Sequence, residues 1–521
     1  MIDATPLLRR YAAWRLRRLR AQKPETAQAA ALKSLLRQAA KTRFGRAHGF
    51  STRWSVPEFQ RHVPLRTYED FWKEYWKSEF PRLDNLTWPG VIPYFAVTSG
   101  TTTGTTKYIP CTRAMIRSNE KAATDLLVHH VHNRPQSRVL AGRSFMLGGS
   151  AHLEDLAPGI AAGDLSGLAM ASMPWYARLR YFPALENAAI ADWDEKIDAL
   201  APLSLGADLR LIGGIPSWLI GFFERVAAEA PGADLNLGVA YPNLNLLVHG
   251  GVNFAPYRRR FENLIAGTDA ELREVYPASE GFFAIADSAP DRGLRLILDH
   301  GLFYEFVPLE EVTNPNPVRH WIANAETGVE YALAVSTCAG LWAYLVGDTV
   351  KLVSRDPPRV EVTGRTAYML SAFGEHLIDS ELEAAVAAAA SAIETGVTDF
   401  AAGAHVSEEP GVPSHHVFIV EMSPVPAGAR EVSHFAEILD QSLKRTNDDY
   451  RGHRAGRTGL GLPQVLAVTP GTFADWMRVR GQIGGQHKVP RIINDQVLLA
   501  NLLSFVHENR LLADSVCGPV G

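Results

Sequence analysis

The chain has 521 residues, long enough for two or more domains, and its 46% hydrophobic and 21% charged content is that of a globular protein rather than a disordered or fibrous one. A net charge of −4 excludes general affinity for nucleic acid. Cys111, Cys338 and Cys517 are scattered, forming neither a disulfide framework nor a Cys-x-x-Cys metal pair, so a reducing, cytoplasmic setting is expected. No apolar run reaches the roughly 18 residues of a membrane span. Met1 to Pro6 lacks the apolar core and cleavage site of a signal peptide, so no stable membrane insertion is expected.

From Leu7 to Arg46 the chain is rich in Arg, Leu and Ala. Leu8, Tyr11, Ala12, Trp14 and Leu16 predict a helix, with Arg9, Arg10, Arg17, Arg18 and Arg20 interspersed. Such a basic amphipathic helix suits a membrane surface or an acidic partner. It is read here as a solvated helix packed on its own domain. Residues 52–88 carry many aromatics and short helical signals.

The chemistry begins at Val97-Thr98-Ser99-Gly100-Thr101-Thr102-Thr103-Gly104-Thr105-Thr106-Lys107, with two glycines, seven hydroxyls and one lysine. An apolar run, Val91 to Val97, leads in, and a helix is expected from about Cys111. Glycines bring backbone N–H groups close to an anion, hydroxyls donate hydrogen bonds and Lys107 adds a point charge, which together suit a polyphosphate. The common P-loop spacing is absent. The competing reading is a Thr/Gly-rich surface turn.

From about Arg138 to Asp299 short apolar strands (Ser144–Gly148, Leu209–Ile212, Leu244–Val248, Leu294–Leu298) alternate with helical stretches (Trp218–Glu229, Pro256–Leu264). The alternation predicts an α/β domain with a mainly parallel sheet, whose ligand loops lie at the carboxyl ends of strands. Two further clusters each put a carboxylate at a turn: Glu274-Val275-Tyr276-Pro277-Ala278-Ser279-Glu280-Gly281 and Tyr344-Leu345-Val346-Gly347-Asp348-Thr349-Val350. A carboxylate there can hold Mg²⁺ or accept hydrogen bonds from a ribose diol. Singly, each also reads as an ordinary turn or cap residue. His129, His130 and His132 read as helix surface.

In this order the three stretches resemble the adenylate-forming enzymes and, more narrowly, the Gretchen Hagen 3 (auxin-responsive) acyl-acid-amido synthetase family. Thr98 to Lys107 fits that family's Ser-Ser-Gly-Thr-Ser/Thr-x-Gly-x-x-Lys motif, with Thr98 for the first serine. Tyr276 to Glu280 resembles Tyr-Ala-Ser-Ser-Glu, and Tyr344 to Asp348 resembles Tyr-Arg-x-Gly-Asp. Phe303 to Pro308, Thr327 to Tyr331, Thr337 to Leu341 and Gly485 to Arg491 are also similar to family segments. Departures are Ala343 and Leu345, where the family carries arginines, and Glu375-His376-Leu377 in place of Asp-Lys-Thr.

The resemblance implies a large N-terminal α/β domain (1–365) and a smaller, mobile α+β C-terminal domain (366–521), joined near Arg355-Asp356-Pro357-Pro358. In the second part Asp379–Ala390 and Phe435–Arg445 read as helices, and His416–Met422 as a strand. The implied activity is ATP-dependent adenylation of a small carboxylic acid, followed by transfer of the acyl group to an amine or amino acid, with ATP and Mg²⁺ as cofactors. Thr98, Ser99, Gly100, Thr101 and Thr102 would cradle phosphates, and Lys107 would neutralise them. Glu280 would hold the metal, with Tyr276 and Ser279 near the nucleotide. Asp348 would accept the ribose hydroxyls, and Gly250-Gly251-Val252 would form a backbone edge near adenine. Arg365 and Lys488 are candidates from the mobile domain, Lys488 as a catalytic residue. Trp218, Phe222, Phe282 and Phe283 are candidates to line the acyl pocket. The alternatives are an acyl-CoA ligase and a nucleotide-binding regulator without catalysis; the presence of Lys107, Glu280 and Asp348 argues against the second. The acid, the amine and the oligomeric state are not readable from the sequence.

Overall fold

A computed structural model describes residues 1–99, 106–148, 151–183, 190, 193–229, 236–251, 254, 258–288, 292–312, 314–365, 369–370, 377–405, 414–447, 450–451, 454, 460–481, 489–493 and 495–509. These residues form two compact units, Met1–Val362 and Thr363 onward.

The first unit is built on a twelve-strand sheet and a four-strand sheet. Five strands of the large sheet are parallel, in the order Tyr181–Phe182, Arg143–Leu147, Leu209–Gly214, Leu246–Gly250, Glu271–Ala278. The parallel sheet expected from strand–helix alternation is this half. Beyond it the pairings turn antiparallel: Gly281–Ile285 folds back on Glu271–Ala278, Leu294–Leu296 pairs with that, and Glu330–Thr337 lies between Leu302–Pro308 and Tyr344–Arg355. The reason is the connections. Glu271–Ala278 returns through a two-residue turn, too short for the crossover helix that parallel neighbours need.

The Leu246–Gly250 strand is buried throughout, as expected where both faces of a parallel sheet are covered. Leu246 and Val248 face one apolar cluster, and Leu247 faces another with Phe254 and Phe261.

The predicted basic helix is Thr5–Arg20. Leu8, Ala12, Leu16 and Leu19 pack in one cluster with Ala122, Leu126 and Val131 of the Arg113–Asn133 helix. Arg15 is turned inward. Its guanidinium donates to both oxygens of Asp125 (2.8 and 2.7 Å) and to both of Asp299 (2.8 and 2.9 Å), with His300 Nε2 3.3 Å from Asp125. Asp125, Asp299 and His300 have the donor atoms of a metal site, but the cation among them is Arg15.

In the second unit, Gln464–Val468, His415–Ser423, Gly396–His405 and Ile492–Ile493 form a mixed sheet. Alternation along its strands serves two cores. Phe418, Val420 and Met422 face the helices Asp379–Ala392 and Ala429–Thr446, while Val417 and Ile419 face Thr472–Val479 and Gln496–Glu508.

The Arg15 cluster yields a stability prediction. Burial raises the Asp125 pKa, but hydrogen bonds from Arg15 and His300 and the charge of Arg15 overcome this and hold it at about 2, below the ordinary 3.8. Replacing Arg15 by Leu strands a buried carboxylate, and the expected loss is about 3 kcal/mol at neutral pH, read by urea titration. A depressed carboxyl pKa stabilises the fold above its unfolded value and ceases to do so as pH falls through its folded value. Parent and Arg15→Leu should therefore converge in stability between about pH 4 and pH 2.

Candidate active site

The described ends of the hydroxyl-rich stretch lie on two antiparallel strands. Tyr94–Ser99 runs out and Thr106–Cys111 returns, with Thr98 opposite Lys107 and Ser99 opposite Thr106. Lys107 thus stands on a strand, where a strand-to-helix loop was expected. Burial along this strand is graded: Ile109, Pro110 and Cys111 are buried, while Lys107, on the same face as Ile109 and Cys111 but near the start of the strand, is only part-buried. The following helix starts at Arg113, with the Thr112 hydroxyl accepting from Met115 N–H at 3.0 Å as its cap. Gly100, Thr101 and Thr102 lie outside the described residues, as does the Ser99 side chain.

Directly opposed residues on an antiparallel pair share a face, so Thr98 and Lys107 present their side chains together. Lys107 Nζ lies 3.1 Å from Glu69 Oε1 and 5.3 Å from the ring centre of Tyr68. The Tyr68 hydroxyl accepts from Tyr108 N–H at 3.0 Å, so the short Tyr68–Phe71 helix is pinned to the hairpin.

The second motif is also a hairpin. Ala278 pairs with Gly281, leaving Ser279 and Glu280 as a two-residue turn. Glu280 is only 9% exposed although it sits on a turn. On the neighbouring strand, Gly250 ends its parallel run opposite Val275, where a Cβ would lie 2.2 Å from the Val275 carbonyl oxygen. Gly251 follows with φ of +84°, and Val252 lies outside the described residues.

The third motif is a bulge. Ala334 faces Leu345 but Ala332 faces Thr349, so the Tyr344–Arg355 strand carries two extra residues there. Gly347 absorbs the distortion with φ of +90°, a conformation that glycine adopts without cost. The bulge re-aims Asp348 inward, and Asp348 is buried.

The two motifs grip each other crosswise. The Tyr276 hydroxyl of the second donates to Asp348 of the third at 2.5 Å, and the Tyr344 hydroxyl of the third donates to Glu280 of the second at 3.2 Å. Burial, reinforced by the charge of Glu280, pushes the Tyr344 hydroxyl well above its ordinary pKa, so it remains a donor. Glu69 and Tyr68, which hold Lys107, also lie within electrostatic reach of Tyr344. Glu274 lies two residues before Tyr276 on the same strand, and burial raises its carboxyl to about 7, with Arg258 opposing and Glu361 adding to the shift. The structure therefore gathers Thr98, Lys107, Gly250, Gly251, Tyr276, Ser279, Glu280 and Asp348 in the first unit.

Other expectations fare differently. Lys488 and the Arg365 side chain lie outside what the structure describes. The four aromatics expected to line one pocket divide among three cores: Trp218 and Phe222 in one, Phe282 at a second, and Phe283 in a third against Tyr276 and Tyr304. They are packing residues in separate places. His129 and His130 are buried, not helix surface, and His130 lies between Glu271 (2.8 Å) and Ser137 (2.8 Å). That carboxylate is 141 residues away in sequence, so no local pattern announces it.

Sequence reasoning also missed Tyr344, Tyr68 and Glu69 as site residues, and it missed Arg66. The Arg66 backbone brackets the third motif, its N–H donating to Ala343 O (3.0 Å) and its carbonyl accepting from Leu345 N–H (2.9 Å). Its guanidinium points away, over the Phe44 ring and onto Glu74.

The bulge is testable. A Cβ at Gly347 would meet nothing within 4 Å, so Gly347→Ala pays backbone strain alone. The expected cost is about 1–2 kcal/mol in a denaturation titration. Gly347→Asn should recover part of it, because Asn tolerates the left-handed region.

Three sequence models of one family match this chain in order: the GH3 family N-terminal domain over residues 17–206, its central domain over 295–365 and its C-terminal domain over 380–497. The Arabidopsis thaliana protein named "Probable indole-3-acetic acid-amido synthetase GH3.1" is 30% identical over 237 residues, 42% of this chain and 38% of that one. The Nicotiana attenuata protein named "Jasmonoyl--L-amino acid synthetase JAR4" is 26% identical over 266 residues, 48% of this chain and 45% of that one. The matched stretch thus spans less than half the length of either relative. Among solved structures, one titled "AtGH3.15 acyl acid amido synthetase in complex with 2,4-DB" superposes with a TM-score of 0.80 at 17% identity, covering 97% of this chain and 96% of that one, a likeness of fold.

Proposed function

Because the chain belongs to the GH3 family, we propose that it is an ATP-dependent acyl-acid-amido synthetase acting on a small carboxylic acid and an amine, most simply an amino acid. The observation that carries this reading is the crosswise pairing of Tyr276 with Asp348 and of Tyr344 with Glu280, beside the Thr98–Lys107 strand pair. Two carboxylates and a lysine are the groups that binding of a nucleoside triphosphate with its metal requires. The names borne by the relatives support the same chemistry.

In the first half-reaction the acid's carboxylate oxygen attacks the α-phosphorus of ATP, and the bond to pyrophosphate breaks. In the second the amine nitrogen attacks the acyl carbonyl carbon, AMP leaves, and the nitrogen gives up a proton as the amide forms. Thr98, Ser99, Gly100, Thr101 and Thr102 cradle the phosphates. Donors already aimed at charge that grows in the transition state contribute very roughly 3 kcal/mol each. Lys107 transfers from Glu69 to the leaving phosphates. Asp348, held by Tyr276, accepts the ribose hydroxyls, while Gly250, Gly251 and Val252 edge the adenine, with Ser279 beside it. Glu280 fits Mg²⁺, which takes one or two carboxylates and completes its shell with water and phosphate oxygens. A bound Mg²⁺ neutralises phosphate charge. Arg365 and Lys488 contact phosphate or carboxylate from the C-terminal part of the chain.

The deciding experiment is a pyrophosphate-release screen over a panel of carboxylic acids, with amino acids, with coenzyme A and with neither. Acid-dependent release with an amide product supports the proposal. A thioester product makes the protein an acyl-CoA ligase, and nucleotide binding without release makes it a regulator. Glu280→Gln is expected to abolish acid-dependent release, whereas Thr102→Ala only slows it, since a metal held by Glu280 would neutralise more phosphate charge than one hydroxyl can. Near-normal turnover of Glu280→Gln with Mg²⁺ present would remove Glu280 from the metal site.

Lys488→Ala should impair adenylation far more than amide formation from pre-made acyl-adenylate, because the charge it meets belongs to the first step. Pyrophosphate exchange and amide formation, assayed separately, measure the two. Equal losses, or none, would show that Lys488 is not specific to one step.

A further inference from the structure

The Thr5–Arg20 helix buries one side and leaves the other uncovered, and what it leaves uncovered is chemically one-sided. Leu7, Tyr11 and Trp14 are 69%, 40% and 44% exposed. At spacings of four and three residues they share a helix face. Tyr11 and Trp14 are in ring contact at 5.5 Å, and the Arg18 guanidinium caps the Trp14 ring at 4.9 Å. Arg10, Arg17 and Arg18 are exposed on the same outward side, and the helix contains no Asp or Glu. This local positive charge stands on a chain of net charge −4.

Arg15 sharpens the picture. It is the helix's buried arginine, and its bonds to Asp125 and Asp299 clamp the helix to the first unit. The outward face is therefore presented by a docked helix, with its own core-facing residues already in place.

From this we propose that the Thr5–Arg20 helix is a docking face for an anionic lipid bilayer, bound peripherally and reversibly. Charge complementarity requires an anionic partner. The apolar residues decide which one. Leu, Tyr and Trp gain nothing against a phosphodiester backbone, but they suit the boundary between headgroups and acyl chains, where arginines meet lipid phosphates. Three apolar side chains hold a surface only weakly, so the arginines supply much of the affinity and salt weakens it. No helix among the described residues is long and apolar enough to cross a membrane, so nothing more than surface binding is proposed.

The test is co-sedimentation of the full chain with phosphatidylcholine vesicles and with phosphatidylcholine–phosphatidylglycerol vesicles, at low salt and at about 1 M salt, where the Debye length falls to roughly 3 Å. The expected result is binding to the anionic vesicles alone, largely released by salt, with a blue shift of tryptophan emission that Trp14→Ser abolishes. Each of Arg10→Gln, Arg17→Gln and Arg18→Gln should lower partitioning about fivefold. Binding unchanged by these substitutions, binding to both vesicle types alike, no binding to either, or release from anionic vesicles by a short duplex DNA competitor would each overturn the proposal. The single variants alter exposed side chains, and an unchanged thermal midpoint would confirm that they report on the surface and not on the fold.

Discussion

The first unit depends on two hydroxyl–carboxylate bonds that cross between strand ends. Tyr276 to Asp348 and Tyr344 to Glu280 span 72 and 64 residues of sequence, and three strands stand between their parent strands in the sheet. Each carboxylate is supplied by a local irregularity. The two-residue turn must hold Glu280 inward, and the bulge at Gly347 must re-aim Asp348. A buried carboxylate without a partner is costly, so each bond satisfies a group that the fold could not otherwise leave there. A tyrosine hydroxyl fixes a carboxylate oxygen in place without cancelling its charge. A lysine or arginine in its stead would compete with whatever cation the site is to receive. The two tyrosines thus orient the carboxylates without adding a competing positive charge, as the proposed metal and ribose contacts need.

That device was half legible in the sequence. Tyr276, Glu280, Gly347 and Asp348 stand in short patterns whose residue types carry their chemistry openly. The crossing was not legible, because a tyrosine announces neither its partner nor its face until strand order and register are known. The same limit scattered Trp218, Phe222, Phe282 and Phe283 among three cores, and it hid Glu271 from His130. The parallel strands Arg143–Leu147, Leu209–Gly214 and Leu246–Gly250 were readable because each holds a short apolar run set between helical stretches, whereas the two-residue Tyr181–Phe182 was too short to show. The strand Thr106–Cys111 was not, because Thr-rich sequence serves turn and strand equally and Lys107 drew attention as a loop residue. The antiparallel half follows from short returns such as Ser279-Glu280, whose length is visible in sequence but whose pairing is not.

The arginines show how placement overrides composition. Six stand within Thr5–Arg20, and the sequence treats them alike. The structure separates them: Arg15 is buried and pairs with buried Asp125 and exposed Asp299, while Arg10, Arg17 and Arg18 face outward. Arg66 is a comparable case beside the third motif. At Ala343 and Leu345 this motif carries small and apolar side chains, and the adjoining Arg66 spends its charge on Glu74 and on the ring of Phe44. Electrostatics at the third motif therefore rest on Asp348 and Tyr276 themselves.

Lys107 is the group whose state must change for the site to take a polyphosphate. Here it is held by Glu69, whose carboxylate is half exposed, and by the face of Tyr68. An ion pair with one partner in water contributes at most about 1 kcal/mol, because solvent screens the attraction and competes for both groups. On the proposed function, a phosphate carries more negative charge than the single Glu69 carboxylate, so Lys107 exchanges Glu69 for it. Until then the pairing with Glu69 keeps the ammonium group near Thr98, its neighbour across the hairpin, instead of leaving a flexible four-carbon chain to sample solvent. A weak partner orients a strong donor without capturing it, and Glu69 can play that part because it is the exposed residue of a short helix whose Tyr68 and Phe71 are buried.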